Sequence, residues 1–271
     1  MRPLNLFQAT IAVLVTGALI PVWPDLPTLL LTILVVVSVN GGANVLNDWF
    51  DYPIDKVNRP SRPIVSGAIS RSGALVFAII LFAVGIITAF QLAPIARNIA
   101  VFVAIPLLIL YTPFFKGMPL AGNLVVAAVL GMTFLFAGSA FGYLEYMIIP
   151  AALAAGFTVV RELIKDIEDY AGDQAEQIGT FPVLFGVKKG VILGRVLVVL
   201  LMFGCLWPYL MGYYGAYYLI TLTFGVEIPL LYVLAYLKHN PSPLGCAHVA
   251  RILKIDVFGG LLAVYLSNFD V

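Results

Sequence analysis

Two short carboxylate-bearing runs carry the chemistry of this chain. The first is Asn47-Asp48-Trp49-Phe50-Asp51-Tyr52-Pro53-Ile54-Asp55 and the second is Asp166-Ile167-Glu168-Asp169-Tyr170-Ala171-Gly172-Asp173. Of the 14 Asp and Glu residues in 271, nine lie between Asp48 and Asp55 or between Glu162 and Glu176. Each run sits where a long apolar stretch ends. Carboxylates concentrated at the rim of a membrane need a counter-charge, and a divalent cation carrying an anionic substrate meets that need.

Helical spacing sharpens the pattern. Residues three, four and seven apart share a helix face. Glu162, Asp166, Asp169 and Asp173 follow that spacing, and Asn47, Asp51 and Asp55 form a second row. Pro53 interrupts the second row, because it lacks an N–H and clashes one turn back. Asp55 is therefore expected beyond the helix end. Like charges at the C-terminal end of a helix repel one another and oppose its dipole. Magnesium relieves both penalties, since it takes oxygen ligands and leaves coordination sites for water or phosphate. The plainer alternative makes both runs solvated loop ends paired with Lys56, Arg59, Arg62 and Lys165. Their joint placement and their share of the carboxylates favour a site.

Basic residues follow closely. Asn58-Arg59-Pro60-Ser61-Arg62-Pro63-Ile64 sets two guanidinium groups in a proline-stiffened segment, and arginine forks suit phosphate oxygens. Tyr111 and Lys116 sit at the end of a later span. Lys116 reads equally as a phosphate ligand or as a snorkelling anchor.

The elements that must hold these residues are membrane helices. The chain is 62% hydrophobic and 11% charged, with mean hydropathy +1.03, against about 25% charged in soluble domains. Nine spans are expected, near residues 6–23, 27–47, 73–93, 98–114, 119–141, 146–166, 190–210, 214–237 and 252–269. The first is read as a span rather than a cleaved leader. With the N-terminus cytoplasmic, the long polar connections near 48–72, 167–189 and 238–251 share one side. Most Lys and Arg residues fall there too, Arg97 being the clear exception. Both acidic runs are thus expected at the cytoplasmic face of a multi-pass cell-membrane protein. Four spans separate the runs, a weak sign of two related halves. A net charge of +1 gives no reason to expect nucleic acid. Cys205 and Cys246 have neither metal-ligand nor disulfide spacing. Asn123, Glu227 and Asp256 are polar groups within spans and so candidates for a role. His239, His248 and Cys246 are expected in the last loop, and Asp256 beside Arg251 or Lys254. Protein partners are not legible.

These residues resemble a known family. Asn47-Asp48-x-x-Asp51-x-x-x-Asp55, then Asn58-Arg59-Pro60-Ser61-Arg62-Pro63-Ile64 and Ser66-Gly67, is similar to the first signature of the UbiA superfamily of intramembrane prenyltransferases. Asp166-x-x-Asp169-x-x-x-Asp173 resembles its second. Tyr111 to Lys116, and Arg2-Pro3-x-Asn5 at the head of the chain, match family habits. The stretch from Arg161 through Lys165 to Asp173 looks most like the archaeal digeranylgeranylglyceryl phosphate synthases, whereas the first motif also resembles chlorophyll synthases. Val65 replaces a more usual proline.

The resemblance implies one all-α transmembrane domain over 1–271, with helices around a central cavity that houses the prenyl tail. It implies that Asn47, Asp51, Asp55, Asp166, Asp169 and Asp173 hold Mg2+ on a prenyl diphosphate, with Asp51, Asp169 and Asp173 essential to turnover. Arg59, Arg62, Tyr111, Lys116, Arg161, Lys165 and Asn5 would bind phosphate groups. The implied reaction moves a geranylgeranyl group from its diphosphate to the glycerol hydroxyl of a lipid-like acceptor, geranylgeranylglyceryl phosphate. Aromatic and tetrapyrrole acceptors remain rivals within the superfamily. A cation-coupled transporter is the rival of another class, although transporter sites usually lie near mid-membrane.

Overall fold

The computed structural model describes residues 3–269, apart from the side chains of Pro3, Val57 and Asn58. Arg2 lies outside the described residues. Those described are built from helices, and no strand occurs among them. In an apolar layer no water is available to bond stray backbone groups, and a helix bonds its own.

The long helices are α1 (Pro3–Ala18), α2 (Leu26–Phe50), α3 (Arg71–Ala89), α4 (Pro94–Phe115), α5 (Ala121–Phe141), α6 (Leu144–Glu168), α7 (Val187–Leu210), α8 (Ala216–His239) and α9 (Pro243–Leu266). Seven of them, α2 to α8, are long and apolar enough to cross a membrane. The helix α1 is shorter, and α9 carries Arg251, Lys254 and Asp256 in its middle. The all-α, multi-pass reading therefore holds, while nine spans by this measure do not emerge.

Two boundaries differ from expectation. The first helix stops at Ala18 rather than near residue 23. The last begins at Pro243, not near 252. There the Ser242 hydroxyl accepts from the Gly245 amide at 3.1 Å, and Pro243 fits a first turn, where its missing N–H costs nothing. Cys246 is consequently buried inside α9 rather than in a loop. His248 also lies on that helix, and His239 ends α8.

The described residues divide into two compact units. The first comprises residues 1–115 and 132–148. Its core includes Val13, Val35, Val39, Ala78, Phe82 and Ala137. Here α2 and α3 lie close because glycine faces bulk: a Cβ on Gly85 would stand 2.7 Å from Val39. The second unit comprises residues 116–131 and 149–271. Leu163, Ile164, Val198, Leu230, Val233, Leu237 and Leu253 are fully buried within it. Gly190 and Gly194 of α7 present no side chain to Ile167 and Ile164 of α6, so those isoleucines fit against the helix backbone.

Proline shapes the helices locally. Wide π-turns occur at Ile99–Ala104, Tyr111–Phe115 and Thr223–Glu227. Pro106, Pro113 and Pro229 lie just after or within them, and a missing amide favours such re-routing of the ladder.

Candidate active site

The first motif is built at the end of α2. That helix stops at Phe50 because Pro53 cannot continue it, and Asp51 sits at the break with φ −75° and ψ 3°. The chain does not then run into a loop. A short helix, Tyr52–Asn58, starts at once, with Pro53 in its first turn. Asp55, expected past the helix end, lies within this short helix and is buried, 4% exposed. The backbone steps are regular: Asp51 donates its N–H to Asn47 O at 2.8 Å, and Asp55 donates to Asp51 O at 2.8 Å.

Three side chains around this step are fixed. The Thr112 hydroxyl of α4 donates to Asn47 Oδ1 at 2.6 Å. Arg62 Nη1 donates to Asp48 Oδ1 at 2.9 Å and also bonds Asp55 Oδ2. One guanidinium thus bridges two carboxylates seven residues apart. Asp48 belongs to the cluster through Arg62. Burial pushes the Asp55 carboxyl above its ordinary range, and Arg62 opposes that shift. Arg71 lies 4.6 Å over the Trp49 ring and 5.2 Å over Tyr52, bracketing the break with stacked charge. Arg59 caps the short helix, donating its N–H to Asp55 O at 2.9 Å. Tyr111 opens the π-turn that also carries Thr112, and Asn5 lies half-buried on α1.

The second motif repeats the step in the other unit. The helix α6 ends at Glu168, and Asp169 sits at a break with φ −83° and ψ 4°. A short helix, Tyr170–Ala175, carries Asp173 in its first turn, 8% exposed. Asp169 donates its N–H to Lys165 O at 2.9 Å, and Asp173 donates to Asp169 O at 3.0 Å. The expected single stripe from Glu162 to Asp173 is therefore broken at Asp169.

Its side chains are held differently. Asn123 Nδ2 of α5 donates to Asp166 Oδ2 at 2.7 Å. The Thr180 hydroxyl donates to Asp173 Oδ2 at 3.2 Å. Glu162 is buried, with Arg161 Nη2 at 2.8 Å and Lys165 Nζ at 3.7 Å. Burial first, and Asp169 second, push the Asp173 carboxyl up; Thr180, Lys116 and Lys165 pull it down. Lys116 and Lys165 thus both act on the motif electrostatically.

Among the described residues no three His, Cys, Asp or Glu side chains gather tightly enough to hold a metal by themselves. Magnesium is commonly held by one or two carboxylates, with water and phosphate completing its shell. The donor set in each unit, an Asp at the break and a buried Asp four residues on, suits such use. Sequence spacing identified these aspartates. It missed Thr112 and Thr180, which reach the motifs from other segments; Asn123, a polar group inside an apolar span and so a candidate from sequence, is the amide that bonds Asp166.

Comparison with known proteins identifies the family. The model of the UbiA prenyltransferase family matches residues 7–253. A digeranylgeranylglyceryl phosphate synthase of Natronomonas pharaonis is 40% identical over 70% of this chain and 69% of its own. That of Methanosarcina mazei is 35% identical over 93% of this chain and 87% of its own. A solved structure described as digeranylgeranylglyceryl phosphate synthase in membranes superposes with TM-score 0.78 at 30% identity, covering 98% of this chain and 95% of its own. A UbiA homolog from Archaeoglobus fulgidus bound to DMAPP and Mg2+ shares the fold, with TM-score 0.68 at 18% identity, 97% of this chain and 96% of its own. With two aspartate motifs on helix breaks and a family match spanning most of its length, the chain belongs to the UbiA family of membrane prenyltransferases.

Proposed function

We propose that this protein transfers a geranylgeranyl group from geranylgeranyl diphosphate to the glycerol hydroxyl of geranylgeranylglyceryl phosphate, with magnesium as cofactor and as one domain over residues 1–271. The observation that carries this reading is the repeated step, an Asp on a helix break followed four residues later by a buried Asp. The acceptor is inferred from the relatives named above, at 35–40% identity.

Asn47, Asp51 and Asp55 in one motif, and Asp166, Asp169 and Asp173 in the other, would hold the metal. Bound magnesium supplies positive charge that stabilises the departing diphosphate. The chain's own residues do the rest. Arg59, Lys116 and Lys165 offer cationic donors for phosphate oxygens, with Tyr111 and Asn5 as neutral ones. Arg62 bonds Asp48 and Asp55, and Arg161 and Lys165 both approach Glu162, so in this reading these three also fix carboxylates. The allylic C–O bond breaks with carbocation character, the glycerol oxygen attacks the carbon, and a motif carboxylate accepts the hydroxyl proton. Apolar helices exclude water from that cation. In this reading both motifs and the N-terminus face the cytoplasm.

The test is turnover by the purified protein in membranes, with labelled geranylgeranyl diphosphate, magnesium and a panel of acceptors. The expected product is the doubly prenylated glyceryl phosphate with release of diphosphate. Prenylation of a hydroxybenzoate-type ring or a chlorin, with the glyceryl phosphate untouched, would replace the acceptor assignment and keep the enzyme class. Absence of transfer to every acceptor would remove the enzymatic reading.

A further inference from the structure

Glu227 and Asp256 lie near the middle of α8 and α9, far in sequence from both motifs. They are 7% and 4% exposed. Glu227 Oε1 and both Asp256 carboxylate oxygens are buried without a hydrogen-bond partner. The α8 and α9 backbones touch at Gly225 and Gly259, which sets Glu227, two residues after Gly225, level with Asp256, three residues before Gly259. Among the described residues no lysine or arginine acts on them: Lys254 is two residues before Asp256, on the opposite helix face, and it and Arg251 are exposed. The pairing of Asp256 with either basic residue, expected from sequence, does not form.

The surroundings hold the pair in place. Glu227 closes the π-turn Thr223–Glu227, a distortion frequent at functional sites. Pro229 lacks the amide that would bond the Gly225 carbonyl in a regular turn. Gly225 and Gly259 bring the two backbones into contact, so close that a Cβ on Gly259 would fall 2.2 Å from Gly225 O. The titratable neighbours are Cys205 on α7 and Tyr218 on α8. The Tyr218 hydroxyl donates to Cys205 O at 2.7 Å, so that bond is spent elsewhere. Two carboxylates buried side by side without a hydrogen-bond partner cannot both stay anionic without a cation.

We propose that Glu227 and Asp256 form a mid-membrane binding site for a small monovalent cation, a proton or sodium, separate from the prenyl-transfer motifs. Its occupant supplies the charge that the surrounding side chains do not. The site is independent of the proposed acceptor and of magnesium.

Dicyclohexylcarbodiimide tests this directly, because it takes the proton of a buried carboxylic acid and then bonds its oxygen. The full-length protein in lipid nanodiscs is treated across a pH series in sodium chloride or choline chloride, and adducts are mapped by mass spectrometry. An adduct at Glu227 or Asp256 that fades as pH rises supports the site. Slower labelling in sodium than in choline identifies sodium as an occupant, and equal labelling identifies the proton. No adduct at either residue, at any pH and in either salt, overturns the proposal. Thermal unfolding gives a second readout. Wild type in choline chloride is expected to lose stability as pH rises and the pair gives up its proton, while E227Q and D256N lose less. Identical pH profiles in wild type and both variants would also overturn it.

Discussion

At Asp51 one helix ends and another begins because Pro53 forbids continuation. At Asp169 the same turn is made with no proline in reach. The backbone outcome matches closely: φ −75° and ψ 3° against φ −83° and ψ 4°. The means of support differ. In the first motif an arginine from the following segment, Arg62, bridges Asp48 and Asp55. In the second, neutral groups from flanking segments take that role, Asn123 on Asp166 and Thr180 on Asp173. There the Thr180 hydroxyl holds the buried Asp173 carboxylate. The two steps thus reach one backbone geometry through different side-chain supports.

The largest effect should come from the break residues themselves. Asp51→Ala and Asp169→Ala are each expected to cut turnover by at least about a hundredfold, the loss of a few kcal/mol of charge stabilisation. Size-exclusion profiles should stay those of intact protein. Unequal losses would show that one motif carries more of the chemistry.

Arg62→Ala sharpens the contrast between charged and neutral support. It leaves Asp48 and Asp55 without their cation and should lower stability by about 2 kcal/mol, read as a fall in Tm. A silent Arg62→Ala would mean that the two carboxylates find other partners.

Much of this contrast was not legible in the amino-acid order. The all-helical membrane class, both aspartate spacings and the break before Pro53 follow from local rules. The break at Asp169 does not, since no residue there forbids a helix. Arg62 pairs with Asp48 and Asp55, as the plainer reading of the acidic runs allowed, although its place in a proline-stiffened basic segment favoured phosphate binding. Cys246 and His248 lie in a polar stretch that reads as loop, yet Ser242 and Pro243 start α9 there. Contacts such as Asn123 to Asp166 join residues 43 apart, beyond any helical periodicity.

Smaller effects probe those long-range supports. Asn123→Leu should cost about 1–2 kcal/mol of stability by stranding the Asp166 carboxyl, and it should weaken magnesium-dependent thermal stabilisation in the presence of prenyl diphosphate. Thr112→Val removes the hydroxyl from Asn47 and should cost about 1 kcal/mol by the same measurement. If Thr112→Val proved the more damaging, Asn47 would depend more on outside support than Asp166. Pro53→Ala should be mildest, a few-fold loss of turnover at most, because Asp55 remains tied to Arg62 after the proline is gone. Equality with Asp51→Ala would make the proline, not the arginine, the main organiser of the first motif.

The central claim is that both aspartate steps are needed for prenyl transfer. Its most direct measurement is release of diphosphate and formation of prenylated acceptor by wild type, Asp51→Ala and Asp169→Ala, side by side, from labelled geranylgeranyl diphosphate with magnesium. The account predicts product from wild type and background from each variant. Near-normal product from either variant would contradict it.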